Sequence, residues 1–568
     1  MGTTRLARRH GWARLRALAL EVAAACTLAL LAASLAGCGA DGSNTDSAAP
    51  GSDSSLGAGG SAPQGSSSGG SQASGGTSGS GGSTGGTGAQ GGAPQPPPPE
   101  MELESAFEAP VATDRYVWTA NPTTGKVALI DAGDFSVRLA EAGIAPTTVA
   151  ALPGNSDEDA ALVLNAGSDD ATILRLGADG VIVSTMLMTH SGANAVTVSP
   201  LGKWAVVWTN AALVDKAKLD PTDGLQDVTV VGLIGEPRAT VLSVGYRPSQ
   251  VTFDAKEERA FVVTEPGMTL VNLGDEPTPE SLVDLTEDPI ADPAARDVSV
   301  TPDGKYAVVR VEGEMALGVV NLKTAQRQAV DLGDYVTDLD LSADGKQAFA
   351  VAGGKLVVLP IPPGDADPAT FARAFATGEV ARSVSLSPDA SLALLYSNGG
   401  TDPYLGILSG SGDWSNFAGR AVDLKAPVKA VFAAPDARHG IAFQSTAAGS
   451  SKAGAFSIVS AQSDRAPKII GTDAEPIALA FTPDGTQAVI TTRNLSKKSY
   501  GMYLVGLTNL EQTYIPLSSP PLSAGIVPNA NRAFVAQTHP EGRITFVNLD
   551  DGSQHTLTGF ELTAKVTQ

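Results

Sequence analysis

One segment constrains this chain more than any other, Asp297-Val-Ser-Val-Thr-Pro-Asp-Gly-Lys-Tyr-Ala-Val-Val309. Val298 and Val300 alternate with polar neighbours, as in a half-buried strand, and residues 306–310 form a second run of β-formers. Between them Pro302 presets φ for the first central position of a tight turn, Asp303 suits the second, and Gly304 supplies a permissive backbone on the way out. The segment predicts two antiparallel strands and their turn. It recurs clearly at 196–207, 339–349, 384–394 and 479–489, and more weakly at 251–261, 431–441 and 526–534.

Recurrence at a fixed period decides architecture before any local detail does. The small residue of the second strand falls at Ala161, Ala205, Ala260, Ala307, Ala348, Ala393, Gly440, Ala488 and Ala533, at spacings of 41 to 55 residues, and one further step back reaches Val117. The count is ten modules. Each continues with a third and a fourth strand, as in 317–321 and 328–332, with no sustained helical periodicity between. Four strands per module predict an all-β fold, a β-propeller of four-stranded blades. Seven or eight blades follow instead if some modules are not separate blades.

The pattern resembles the WD-repeat, YVTN-repeat and TolB-type propellers, whose blades carry a Ser/Thr-Pro-Asp-Gly turn between adjacent strands. The resemblance covers roughly residues 105–568 and implies a shape, not an activity. The Trp-Asp and Gly-His pairs of true WD repeats are missing. The first module lacks an obvious first strand, and the alternating segment 560–566 is a candidate to supply it and close the ring.

Three regions are expected: a signal peptide at 1–37, a Gly/Ser/Pro-rich tether at 38–104, and the propeller at 105–568. Arg5, Arg8, Arg9, Arg14 and Arg16 precede an apolar run that ends in Leu35-Ala36-Gly37-Cys38, a signal-peptide layout. Its end resembles the bacterial lipobox, which implies lipidation of Cys38 and export through Sec. The competing expectation is a transmembrane anchor, since roughly 20 apolar residues can span a bilayer. Against it stand Glu21 and the small-residue tether that follows without a basic flank. Roughly 60 residues of such coil have a reach on the order of 45 Å. These readings place the protein in a bacterial cell envelope, lipid-anchored, and Gly39 after the cysteine favours the outer membrane in a Gram-negative host.

The formal charge is −22, and residues 1–37 hold five Arg against one Glu, so the remainder carries −26. Phosphate backbones repel such a surface, and no nucleic-acid partner is expected. Both cysteines, Cys26 and Cys38, precede the repeats, which therefore hold no disulfide framework or cysteine zinc site. His190, His439, His539 and His555 are isolated and read as loop or strand-end residues. No nucleophile elbow, Walker loop or dinucleotide fingerprint stands in a fitting context, so no catalytic, cofactor or metal residue is assigned. Asp303, Asp344, Asp389 and Asp484 read as turn formers rather than a carboxylate ring.

Function is expected where the repeat is broken: the 209–227 insertion, the acidic 153–159 loop and the 361–370 connection. Asp157, Asp159, Asp220 and Asp223 are weak candidates for a ligand or calcium, without EF-hand spacing. Trp204 and Trp208 share one face, with core packing the expected job for at least one. The leading expectation is a binding or protein-interaction platform for another envelope protein or an extracytoplasmic ligand. The alternative is a hydrolase or lactonase-like enzyme whose residues converge only in the central channel. A third reading is a structural envelope component, comparable to the periplasmic propeller that works with a peptidoglycan-associated lipoprotein.

Overall fold

In the computed structural model the described residues are 110–559, apart from 154–158, 215–223, 288–294, 365–371, 375–380, 398–401, 411–413, 415–417, 447–448, 463–464 and 540–541. The signal peptide, Cys38, the tether and the 560–566 segment lie outside them. There are ten four-stranded antiparallel sheets, each a simple meander, spanning residues 111–141, 146–188, 195–243, 250–283, 296–331, 336–374, 383–423, 428–472, 475–516 and 521–558. These are blades 1 to 10. The shorter rings of seven or eight blades are thereby set aside.

Burial rises and falls across each blade. In blade 5 the first strand, Arg296–Val300, alternates, the second and third, Tyr306–Val311 and Ala316–Asn321, are buried on both faces, and the fourth, Gln326–Asp331, is largely exposed. The two middle strands are sandwiched between neighbouring blades, which is why they read as continuous Val, Ala and Leu runs. Ten apolar clusters result, and each joins two consecutive blades. The cluster that packs Val117, Ala128 and Ile130 of blade 1 on Phe534, Ile544 and Phe546 of blade 10 closes the ring. At the same seam Phe135 stacks on His555 with centroids 3.9 Å apart, and the Asn529 N–H donates to the Asp114 carbonyl at 2.8 Å.

The small marker residues sit where this stacking is tightest. Ala161, Ala205, Ala260, Ala307, Ala348, Ala393, Ala488 and Ala533 are all fully buried. At Gly440 a Cβ would stand 2.4 Å from Leu394 Cδ1 of the preceding blade. Blade 1 begins with its own short first strand, Val111–Ala112, paired to Trp118 and Val117. The expectation that 560–566 supplies that strand is therefore corrected, because residues just upstream of the second strand already occupy the position.

The repeated turn is a hydrogen-bonded unit. The Thr301 hydroxyl donates to Asp303 Oδ1 at 2.7 Å and accepts the Tyr306 N–H at 3.1 Å, while Asp303 Oδ1 accepts the Lys305 N–H at 3.1 Å. Ser342 with Asp344, Ser387 with Asp389 and Thr482 with Asp484 repeat the arrangement. Burial pushes Asp303 up, but the Lys305 side chain, the Thr301 hydroxyl and the Lys305 N–H outweigh it and leave the carboxyl below its ordinary value. The glycine does more than reverse the chain. Gly345 has φ +67°, and a Cβ there would stand 2.5 Å from Pro302 Cδ, so each turn nests on that of the preceding blade.

Two blades break the motif and repair it. In blade 8 Ala434 replaces the hydroxyl residue, and the His439 ring Nδ1 takes its place on Asp436 at 2.5 Å. In blade 3 Leu201 replaces the aspartate. Buried Glu257 of blade 4 supplies the carboxylate instead, accepting the Leu201 N–H and, at 3.1 Å, the Lys203 N–H.

Candidate functional site: the crossover rim

An antiparallel meander puts its connections at two ends. First-to-second and third-to-fourth turns share one end, the turn face; second-to-third loops and blade-to-blade crossovers share the other, the crossover face. The three broken places separate accordingly. The 209–227 insertion joins the second and third strands of blade 3, on the crossover face. The 153–159 loop and the 361–370 connection lie on the turn face. Residues 154–158, 215–223 and 365–370 of these stretches lie outside the described residues, and only the strand ends that flank them are placed.

First strands of adjacent blades neighbour one another around the inner wall, including Val111–Ala112 beside Pro521–Val527 at the seam. Where these strands start, at the crossover rim, the pairing register slips in blades 2, 6, 8, 9 and 10. The extra residues are Thr147, Thr337, Lys429, Ile477 and Leu522. A bulge re-aims its side chain and stops the ladder, and five at one place in the repeat mark the rim as a specialised edge. Sequence reasoning missed them. The available signal was Pro146, Pro476 and Pro521, each directly before its bulge, since proline is confined to strand starts and bulges.

Charge divides the rim. The first strands of blades 1 to 4, 7 and 10 contain no charged residue, whereas those of blades 5, 6, 8 and 9 contribute Arg296, Asp297, Asp338, Lys429 and Glu475 near their starts and Asp340 farther along. Asp297 lies opposite Arg310 and within 3.9 Å of it. Glu475 lies opposite Arg493 and takes an ion pair across the blade boundary from the bulged Lys429. Blade 6 is stitched to blade 7: the Thr337 hydroxyl donates to the Arg382 carbonyl at 2.6 Å, and buried Asp338 accepts the Val384 N–H at 2.6 Å. Arg296 is only 8% exposed, and burial holds its pKa below the ordinary guanidinium value, with Glu265 opposing. Its Nη2 donates to the Thr264 carbonyl at 2.5 Å, and its buried Nε has no partner among the described residues.

The insertion is pinned at its root by His190, in the crossover before blade 3. The Thr229 hydroxyl accepts the His190 backbone N–H at 2.9 Å and lies 2.8 Å from Nδ1, while Nε2 lies 3.2 Å from the Thr209 hydroxyl. One arrangement satisfies all of these: Thr229 donates to Nδ1, Nε2–H donates to Thr209, and Thr209 donates to the Gly192 carbonyl at 3.1 Å. The ring is then neutral. Burial lowers its pKa, against smaller upward effects of Asp227 and Asp169. Gly224 closes the other limb at φ +56°, where a Cβ would stand 2.3 Å from the Ser191 carbonyl.

Of the weak ligand candidates, Asp157, Asp220 and Asp223 lie outside the described residues. Asp159 begins the second strand of blade 2, and its Oδ1 accepts the Trp118 indole N–H of blade 1 at 2.7 Å. Burial raises its pKa, opposed by hydrogen bonds from Thr113 and Trp118. Trp208 is buried against blade 4 and Trp204 packs beside it. His439 and Asp436 resemble a catalytic dyad on paper, but they are the repaired turn of blade 8. Among the described residues no group of three or more His, Cys, Asp or Glu is placed to hold a metal ion.

No family profile matches the sequence, and no curated protein matches it. Solved structures with similar folds include a eukaryotic initiation factor, 13% identical over 78% of this chain and 95% of that one, TM-score 0.44. The dihydro-heme d1 dehydrogenase NirN is 11% identical over 74% and 81%, TM-score 0.40. The Cps50 (Swd1) β-propeller domain of Myceliophteria thermophila is 10% identical over 65% and 97%, TM-score 0.34. None of them bears on what this chain binds.

Proposed function

We propose that this protein is a non-enzymatic binding platform of the bacterial cell envelope, lipid-anchored through Cys38, that receives another envelope protein or an extracytoplasmic ligand on the crossover rim. The observation that carries the reading is the rim itself, where five bulges and charges confined to the first strands of four blades break a ring that is otherwise regular. Propellers use such ends of a rigid scaffold for recognition, because rim loops vary without disturbing the stacked middle strands. The charged groups of blades 5, 6, 8 and 9 are held in pairs and backbone hydrogen bonds, which favours recognition by fixed dipoles over proton transfer.

A photo-crosslinking residue at Thr337 tests the site in intact cells. A discrete adduct at Thr337, absent when the same residue replaces exposed Leu282 on the outer strand of blade 4, is the expected result; equal or no crosslinking from both positions would refute it. Replacing Cys38 by Ser tests the anchor. Unchanged processing and membrane retention of that variant would refute lipidation there.

A further inference from the structure

The outer wall of the ring has one edge unlike the others. Fourth strands are blade edges, and an unprotected edge invites another strand, so edges ordinarily carry charge, proline or a comparable block. Nine of the ten do, from Arg138 and Glu141 in blade 1 to Pro516 in blade 9 and His555 in blade 10. Blade 2 does not. Its fourth strand, Ile182–Met188, reads Ile-Val-Ser-Thr-Met-Leu-Met. It has no charge, proline or glycine, and at seven residues it is long for an edge.

The same strand is exposed. Val183 is 58% accessible, Met186 60% and Met188 66%, with Val181 and Leu139 of blade 1 close to half or more. Between it and the fourth strand of blade 1 runs an open groove of about 570 Å³, lined by Leu139, Val181, Ile182, Ser184 and Met186 and bearing Arg138 and Glu141. Exposed Val and Met side chains clustered along an uncharged edge strand beside such a groove mark an interaction site.

We propose that this edge is a self-association surface, on which a second copy of the chain adds its own Ile182–Met188 strand antiparallel across a two-fold axis, joining two four-stranded blades into one eight-stranded sheet. Self-complementarity selects the occupant. A second copy carries the same net −22, so it is repelled over most of the surface and meets least repulsion where the strand is uncharged. The flanking groove holds one charge of each sign, and a two-fold contact sets each residue against its counterpart's surroundings, so Arg138 and Glu141 are self-complementary there. The strand is also matched about its centre at Thr185, with Val183 opposing Leu187 and Ile182 opposing Met188, apolar to apolar.

The test is sedimentation velocity of the purified full chain over a concentration series, with amide exchange across 182–188. The expected result is a concentration-dependent doubling of mass, with protection of 182–188 appearing as the dimer forms. Met186→Lys should raise the dimer dissociation constant by at least about tenfold, because a lysine on an edge blocks strand addition. Leu495→Lys, equally exposed on another blade, should leave it unchanged. A chain that stays monomeric at every concentration would overturn the proposal, as would a dimer indifferent to Met186→Lys. Protection of 182–188 that needs added vesicles or another protein would also overturn it.

Discussion

The blade 3 turn offers a sharp test of the scaffold argument, because the carboxylate that elsewhere comes from within the turn is here supplied by the next blade. Glu257 is 2% exposed and accepts the N–H groups of Leu201 and Lys203. Glu257→Ala removes two charge-assisted hydrogen bonds, each contributing about 1.5–3 kcal/mol, partly offset because the turn is open to water at the 54%-exposed Leu201. The strain of Glu257 at φ +59° is retained by alanine and cancels. The expected loss is about 2–4 kcal/mol. Leu201→Asp then restores the carboxylate within the turn, where Ser199 and the Lys203 N–H stand as Thr301 and the Lys305 N–H stand to Asp303. In the wild-type background this change sets a like charge beside Glu257 and costs up to about 1 kcal/mol. In the Glu257→Ala background it should recover at least half of the loss. Urea unfolding followed by the fluorescence of Trp204 and Trp208, next to this turn, measures all four corners of the cycle. A loss below about 0.5 kcal/mol for Glu257→Ala, or a double variant no more stable than Glu257→Ala, would refute the assignment.

Gly345→Ala forces a Cβ to within 2.5 Å of Pro302 at a left-handed φ, and should destabilise by about 2–4 kcal/mol in the same assay; native Ala390, at φ +52° in blade 7, marks where the facing turn accommodates the methyl. Neutral His190 makes stability pH-dependent: its folded pKa lies below the unfolded value of 6.5, so the unfolded chain binds more protons and stability falls as pH drops below 6.5 toward the folded pKa. Thermal melts between pH 7 and 5 should show that slope, flattened in His190→Gln. The lowered carboxyls Asp303, Asp344, Asp389 and Asp484 act in a separate window, with stability present above 3.8 and lost as pH falls below it. Asp159→Asn keeps an acceptor for the Trp118 indole and removes a buried charge, so it should match or exceed wild-type stability at pH 7, whereas Asp159→Ala should lose about 1–3 kcal/mol. A calcium-dependent rise in melting temperature that Asp159→Asn abolishes would instead make Asp159 a cation ligand.

Much of this architecture is legible in the linear chain because it rests on local rules. The Ser/Thr-Pro-Asp-Gly turn is closed by groups within five residues of one another, and two-sided burial of the middle strands writes itself as unbroken Val and Ala runs. A reader of residues alone can therefore count ten modules and recognise Asp303 and its equivalents as turn formers. What depends on neighbours 40 to 60 residues away leaves no such trace. Glu257 looks like one surface acid among many until the next blade's stacking sets it under Leu201, a separation of 56 residues. His439, by contrast, is a local repair, three residues from Asp436, that the missing hydroxyl at Ala434 could have signalled. The rim bulges, the ion pair of Lys429 with Glu475 across a blade boundary, and the assignment of the long connections to two faces follow from where the ring places strand ends. Repetition along the chain dictates the blade; closure of ten blades dictates which of its departures from repetition face one another.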